Sequence, residues 1–388
     1  MPRSSRRGCL RAGRRAHGQT GVSGGASLRC CGRDSKFELP PEDSLIAHQD
    51  WGGDTLKALI TGITGFVGSH LVEYLLGQGV EVMGVADGEA RLTPGTASLV
   101  KFYRADLRER EPIALVLKET RPDLVFHLAA QAHVPTSWAD PASTLIDNVL
   151  FQLNLFLGIL HEGLDPFVLI PGSIEEYGYV KPGELPVREE NPLRPTNPYA
   201  VSKVSQDMLA YQYSLTHDLK CVRMRAFNHT GPRQASHYVV PALAKQVAEA
   251  EAGLVQPEIR VGNLEAKRDF TDVRDVVRAY HLALLRCEPG EVYNLGSGRA
   301  VSIRQVLDFY LAQSRVPLTV VREEERMRPW DVPEYVCDAT KFRSRTGWQP
   351  LIPLEQTLAD VLDYWRQQVA GRHSGRSFSE SLKDNHPA

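Results

Sequence analysis

Apolar residues gather in short runs along the chain, at Lys57–Ile60, Val80–Ala86, Leu99–Tyr103, Leu124–Leu128, Phe167–Ile170 and Cys221–Ala226. Runs of this length, bounded by glycine, proline or polar turns, read as buried strands. Between the first two, Phe66–Leu76 sets its apolar positions at helical spacing, so the opening unit is strand, turn, helix, strand. Later separations are long enough for crossover helices, which parallel strand pairs require and which pack back onto the sheet. The pattern predicts an α/β chain built on a doubly wound parallel sheet with both faces covered.

Beyond Asn228 the pattern loosens. It predicts helices over Val239–Gly253 and Asp272–Leu285, a strand over Glu291–Leu295 that returns to the sheet, and amphipathic helices over Val301–Gln313 and Leu354–Gln367. In the last of these, Leu354, Leu358, Val361, Leu362 and Trp365 share one face. The expected division is a Rossmann-type domain over 57–228, rejoined by 272–297, and a smaller C-terminal α/β substrate-binding lobe over 229–271 and 298–370. Ligands of open parallel sheets bind beyond the carboxyl ends of the strands, which here is the crevice between the two parts. No internal repeat is visible.

Composition narrows the function classes. A chain of 388 residues, 42% hydrophobic and 24% charged, is neither collagen-like, nor disordered throughout, nor a disulfide miniprotein. Its net charge of −2 hides an asymmetry, because residues 1–33 carry eight Arg and no acid while the rest carries 37 basic against 47 acidic residues. A body this acidic is a poor match for a phosphate backbone, so nucleic acid is not an expected partner and a small molecule is. Residues 1–56 are expected to be a disordered leader. Its Arg-rich start also fits a transit peptide, but its glycine content favours disorder or translation begun upstream of the true start. Residues 371–388 are polar and aperiodic, an expected disordered tail. The six Cys show no disulfide or zinc spacing, and no run reaches the roughly 18 apolar residues that cross a bilayer, so a cytoplasmic protein without a membrane partner is expected.

Three places carry candidate chemistry. Gly62, Gly65 and Gly68 lie between a buried strand and a helix, where a tight turn and the positive end of a helix macrodipole together receive a pyrophosphate. Asp87, 19 residues after Gly68, ends the second strand where a carboxylate accepts hydrogen bonds from an adenosine ribose. It tilts the expectation toward NAD over NADP by repelling a 2′-phosphate, although Arg91 nearby works the other way. Tyr199 and Lys203, four apart in NPYAVSK, fall on one helix face, and an ammonium one turn away favours the phenolate that acid/base chemistry near neutrality needs. Between these places, Ser173 stands where a hydroxyl meets a substrate oxygen, and Glu175 where a carboxylate moves a proton. Each has a plainer alternative: turn glycines, a turn serine, a solvated acid, a helix surface. His127, His133 and His229 have no metal-ligand arrangement, and no metal is expected.

Taken together, TGITGFVGSH (61–70), HLAAQAHV (127–134), the Ser173-x-Glu175 segment, NPYAVSK (197–203), FNHTGPRQ (227–234) and GNLEAKRDFTDVRDV (262–276) resemble the extended short-chain dehydrogenase/reductases. More narrowly they are similar to the NAD-dependent epimerase/dehydratase enzymes acting on GDP-6-deoxyhexoses, over roughly residues 57–366. The resemblance implies NAD(P)(H) as cofactor, a GDP-sugar substrate and a homodimer. Two activities are open: reduction of the C4 ketone of GDP-4-keto-6-deoxy-D-mannose, and 4,6-dehydration of GDP-mannose. Gly65-Phe-Val-Gly-Ser69, Ala86-Asp87, the Thr230-Gly231 pair and Arg326-Met-Arg-Pro-Trp-Asp-Val-Pro333 depart from the dehydratase pattern and favour the reductase.

The resemblance also assigns roles. Gly62, Thr64, Gly65, Phe66, Val67 and Gly68 would meet the pyrophosphate, Asp87 the ribose, Asp106 and Leu107 the adenine, and Leu128, Ala129 and Ala130 the middle of the cofactor. Ser173, Tyr199 and Lys203 would be catalytic, joined by Glu175 as the C5 base in a dehydratase, with His229 near the cofactor. Asn228, Arg268, Arg328, Asp331 and Glu334 would hold the substrate. For Arg268 the plain alternative is a surface ion pair with Asp269 or Glu265. A non-catalytic, cofactor-binding regulator on the same fold is the reading from another class.

Overall fold

The computed structural model describes residues 55–88, 92–181, 183–324 and 332–381. The expected leader, Arg91, Arg328 and Asp331 therefore lie outside the described residues, apart from the leader's last two positions. In chain order the first elements are β1 (Lys57–Thr61), α1 (Phe66–Gly77), β2 (Glu81–Ala86), α2 (Pro94–Ala97), β3 (Lys101–Arg104), α3 (Arg110–Thr120), β4 (Leu124–His127), α4 (Val134–Ala139), α5 (Pro141–His161) and β5 (Phe167–Ser173). They are followed by α6 (Pro198–His217), β6 (Lys220–Ala226), β7 (Asn228–Thr230), α7 (Val239–Glu251), β8 (Glu258–Val261), β9 (Lys267–Asp272), α8 (Val273–Arg286) and β10 (Val292–Leu295). The chain ends with β11 (Ala300–Ser302), α9 (Ile303–Gln313), β12 (Thr319–Arg322), α10 (Thr340–Thr346) and α11 (Leu354–Ser381).

Seven strands form one sheet in the order β10-β6-β5-β4-β1-β2-β3, every neighbouring pair parallel. Alternate residues of each strand feed opposite layers. Ala58, Ile60, Leu124, Phe126, Phe167 and Leu169 pack with α1 and α8, whereas Leu59, Val125, Val168 and Ile170 pack with α3, α5 and α6. The strands are apolar on both faces because helices cover both. The chain reverses its direction of winding between β1 and β4, which leaves a crevice at their carboxyl ends. A separate core unites α7, α9 and α11 over the short sheets β11-β9-β7 and β12-β8.

Two departures from the sequence pattern have physical reasons. Ala300–Ser302 is a strand, and the helix starts at Ile303 behind a capping box in which Ser302 and Gln305 bond reciprocally. The last helix runs on to Ser381, so residues 371–381 are helical and not the irregular tail expected, and 382–388 lie outside the described residues. Apolar periodicity is the signal of a packed helix face, and GRHSGRSFSES over 371–381 carries almost none of it. Helix α5 is long and apolar enough to cross a membrane by length and composition. It is packed between α3 and α6 and buries Asn148, Gln152 and Asn154, which is the behaviour of a core helix.

Candidate active site

Four adjacent strands deliver the candidate residues to one edge. Gly62 follows β1, Leu128–Ala130 follow β4, Ser173 ends β5, and Asn228 follows β6, and these strands are neighbours in the parallel sheet. Gly62 has φ +69°, donates its N–H to Val85 O at 2.9 Å, and accepts from Gly65 N at 3.0 Å. A Cβ on Gly62 would lie 2.8 Å from Ala129 N, and one on Gly68 2.6 Å from the carbonyl oxygens of Gly62 and Ile63. The turn thus packs too tightly for any side chain at either position. Helix α1 starts directly after Gly65 with no side-chain cap and no acid in its first turn, so its first N–H groups are left for an anion from outside. Thr64, Phe66 and Val67 are half-buried around it. This uncapped, side-chain-free cradle fits a dinucleotide pyrophosphate.

Around the cradle, Asp87 stands exposed beyond β2, where Arg104 Nε donates to its carbonyl at 3.0 Å. Asp106 is gripped by Arg108 at 2.8 Å, which holds its carboxyl below the usual range. Leu107 is buried in the core, its carbonyl taken by Asn154. Ala129 N donates to Thr61 Oγ1 at 3.2 Å, which fixes the segment after β4 against β1.

Helix α6 begins with Asn197 as its cap. Asn197 Oδ1 accepts from Ala200 N at 2.8 Å, while its Nδ2 donates to Glu175 Oε2 at 2.9 Å, so one side chain starts the helix and holds the acid. Tyr199 and Lys203 follow on one face, both buried. Burial pushes the Tyr199 phenol well above its ordinary value, and its hydrogen bond with the Ser173 side chain works the other way. Ser173 Oγ also accepts from Glu175 N at 3.2 Å. Lys203 Nζ donates to Pro171 O at 2.8 Å, and burial lowers its pKa. With the site as described, burial governs the phenol, Ser173 is its hydrogen-bond partner, and the ammonium is bonded to a carbonyl.

Sequence reasoning missed the charges beneath these residues. Glu176, Asp207, Arg223 and Arg225 are buried together: Arg225 donates to Asp207 at 2.8 and 2.5 Å and to Glu176 at 3.1 Å, and Arg223 donates to Asp207 at 2.6 Å. The signal was present in Cys221–Ala226, where two arginines interrupt a strand covered on both faces and so demand buried partners.

On the other side of the crevice, Asn228 Oδ1 is buried with no hydrogen-bond partner among the described residues. The His229 ring stacks on Phe66 at 6.1 Å and 8°, Phe66 meets His70 edge-on at 5.5 Å, and burial lowers the pKa of His229. His70 Nε2 reaches Pro232 O at 2.9 Å, and Arg233, at φ +73°, grips Glu73 of α1 through two bonds of 2.7 and 2.8 Å. The loop after β7 is thereby clipped to the helix of the glycine turn. Arg268 is buried rather than paired on the surface. Its Nη1 donates to Lys267 O and Val332 O at 2.8 Å, and its guanidinium lies 5.2 Å from the Tyr335 ring. Glu334 faces Lys267 at 3.3 Å. Among the described residues no cluster of His, Cys, Asp or Glu is arranged to hold a metal.

A family model described as GDP-mannose 4,6 dehydratase matches residues 59–361. The chain is 35% identical over 315 residues to the GDP-6-deoxy-D-mannose reductase of Pseudomonas aeruginosa, covering 81% of this chain and 99% of that protein. A GDP-mannose 4,6-dehydratase of Vibrio cholerae is 28% identical over 361 residues, covering 82% and 95% respectively. The solved structure of RMD from Pseudomonas aeruginosa complexed with NADPH superposes with a TM-score of 0.71 at 34% identity, over 81% of this chain and all of that one.

Proposed function

The chain belongs to the GDP-mannose 4,6-dehydratase family, and from that premise we propose that it is an NAD(P)-dependent reductase of the C4 ketone of GDP-4-keto-6-deoxy-D-mannose. The observation that carries this reading is the 35% identity to a GDP-6-deoxy-D-mannose reductase along 99% of its length, and the buried Tyr199 side chain with its Ser173 partner suits it. In the reductive direction the Tyr199 phenol gives its proton to the alkoxide that develops at C4. When bound, the nicotinamide supplies the hydride that reaches C4.

The chain's own residues do the rest in this reading. Ser173 shares the ketone oxygen with Tyr199, Lys203 holds the cofactor ribose, and Asn228 donates from its amide nitrogen to the sugar diphosphate while its unpartnered oxygen accepts a sugar hydroxyl. Residues of the glycine turn and the α1 amino end hold the pyrophosphate, and Arg268, Arg328, Asp331 and Glu334 hold the nucleotide of the substrate. Asp87 tilts coenzyme choice to NADH, although the Pseudomonas RMD structure is complexed with NADPH. Cys221, Cys287 and Cys337 are free thiols, which suits a cytoplasmic location. Val201, Met208, Tyr211 and Leu215 form an exposed apolar stripe on α6 that suits the homodimer contact.

The second reading, dehydration of GDP-mannose, is favoured by Glu175, an acid close enough to bear on Tyr199 and held by Asn197. Incubation with GDP-mannose alone, and with its 4-keto-6-deoxy derivative plus NADH or NADPH, separates the two by product mass and NMR. We expect coenzyme consumed one for one with ketone, abolished in Tyr199→Phe by roughly 100-fold or more and largely retained in Glu175→Gln. A 4-keto product from GDP-mannose without reductant, lost in Glu175→Gln, overturns the reductase.

A further inference from the structure

Glu175 and Glu176 are neighbours of identical chemistry, and the fold sends them opposite ways. Glu175 is half-buried beside Asn197, whereas Glu176 is completely buried beneath the end of β5. Its Oε1 accepts the Ser173 N–H at 2.6 Å, and its Oε2 accepts from Arg225 Nε at 3.1 Å. A Cβ on Gly172 would collide with Glu176 Oε1, so the glycine before Ser173 makes room for this carboxyl. The charged and titratable groups that face it are its chain neighbour Tyr177, whose hydroxyl Arg225 also reaches, Asp207, Lys203 and Tyr199 from α6 and Arg225 from β6, with Arg223 reaching it through Asp207.

We propose that Glu176 is a positioning residue of the reaction, which holds Ser173 through the main chain and sustains the charge of Lys203 without touching the substrate. The proposal rests on the reading above, in which Ser173 and Lys203 serve the ketone and the cofactor ribose. Burial and Asp207 raise the Glu176 carboxyl, and Arg225 opposes them. Burial lowers the Lys203 ammonium, and Glu176 is the charge that opposes it. The Glu176 carboxyl is pushed up to about 8, so it is on the alkaline side, where it is ionised, that its removal leaves Lys203 to deprotonate at lower pH. Removing its reach instead frees the Ser173 main chain and leaves the charge in place.

The experiment follows kcat, KM and NADH affinity of the full-length enzyme between pH 6 and 10 for the parent, Glu176→Gln and Glu176→Asp. In Glu176→Gln we expect the basic limb of kcat, and the pH at which NADH affinity weakens, to move down by about one unit with KM within about twofold. In Glu176→Asp the limb stays and kcat drops by roughly tenfold, because the shorter arm leaves the Ser173 N–H. A merely structural role lowers stability and moves neither limb. Glu176→Gln with parental limbs in both readouts overturns the proposal. Should that variant fail to fold by circular dichroism, a parental kcat in Glu176→Asp overturns it instead. A parent with no turnover counts against the reductase reading, and the NADH titration then still decides for Glu176.

Discussion

Replacing Gly62 by alanine tests the geometry of the cradle most directly. Two costs arise. The residue sits at φ +69°, a left-handed conformation that costs a residue with a Cβ about 1 kcal/mol. The new methyl would also stand 2.8 Å from Ala129 N and 2.9 Å from Ala129 Cα and Leu128 C, all main-chain atoms that no rotamer change can clear. Overpacking of that kind costs about 1–3 kcal/mol, so the sum is about 2–4 kcal/mol. At roughly 2 °C per kcal/mol for a chain of this size, Tm falls by about 4–8 °C. Gly79 supplies the control, since its φ is +75° but a Cβ there meets nothing within 4 Å. Gly79→Ala should cost only the backbone part, about 1 kcal/mol or about 2 °C. Thermal unfolding of both variants, with NADH affinity measured by fluorescence, isolates the collision. A Gly62→Ala enzyme that melts with Gly79→Ala and binds NADH like the parent refutes the claim that the turn is packed against the strand beside it.

Asp207→Asn removes the acceptor shared by Arg223 and Arg225 and should destabilise the fold by about 3–5 kcal/mol in urea unfolding; a loss under about 1 kcal/mol would show the pair to be dispensable. His70 and His281 are held down to about 4 by burial. The unfolded chain binds more protons at these sites between pH 6.5 and 4, so stability is full above that window. It falls with pH inside the window, by up to about 3 kcal/mol per residue. His281→Leu should flatten the dependence of the urea midpoint on pH, and an unchanged slope counts against the assignment. Asp87→Ala should raise the NADPH to NADH ratio of kcat/KM by roughly tenfold through loss of repulsion, and a constant ratio would remove Asp87 from the ribose.

Much of the fold is legible in the chain because strands such as Leu59–Ile60 and Val125–Phe126 must be apolar on both faces of a covered sheet. The glycine turn is legible for the same kind of reason, since Gly62 and Gly68 leave no space for a side chain. What stays hidden is which atom each polar group takes. Helical spacing sets Lys203 on the face of Tyr199, yet nothing in that spacing says that the ammonium will find Pro171 O, or that burial will outweigh charge at the phenol. Nor does spacing distinguish Glu175 from Glu176, because a one-turn 3-10 helix over Ile174–Glu176 decides which acid faces outward. Arg223 and Arg225 could have raised the question, since charge in a buried strand requires an answer elsewhere in the chain.

The clip made by Arg233, Glu73, His70 and Pro232 fastens the loop after β7 to the helix of the glycine turn. A variant in which that loop is redrawn would tug on the helix proposed to seat the dinucleotide, because the same few side chains fasten both. On the roles proposed above, laboratory selection on coenzyme grip should be read for drift in sugar choice, and the reverse.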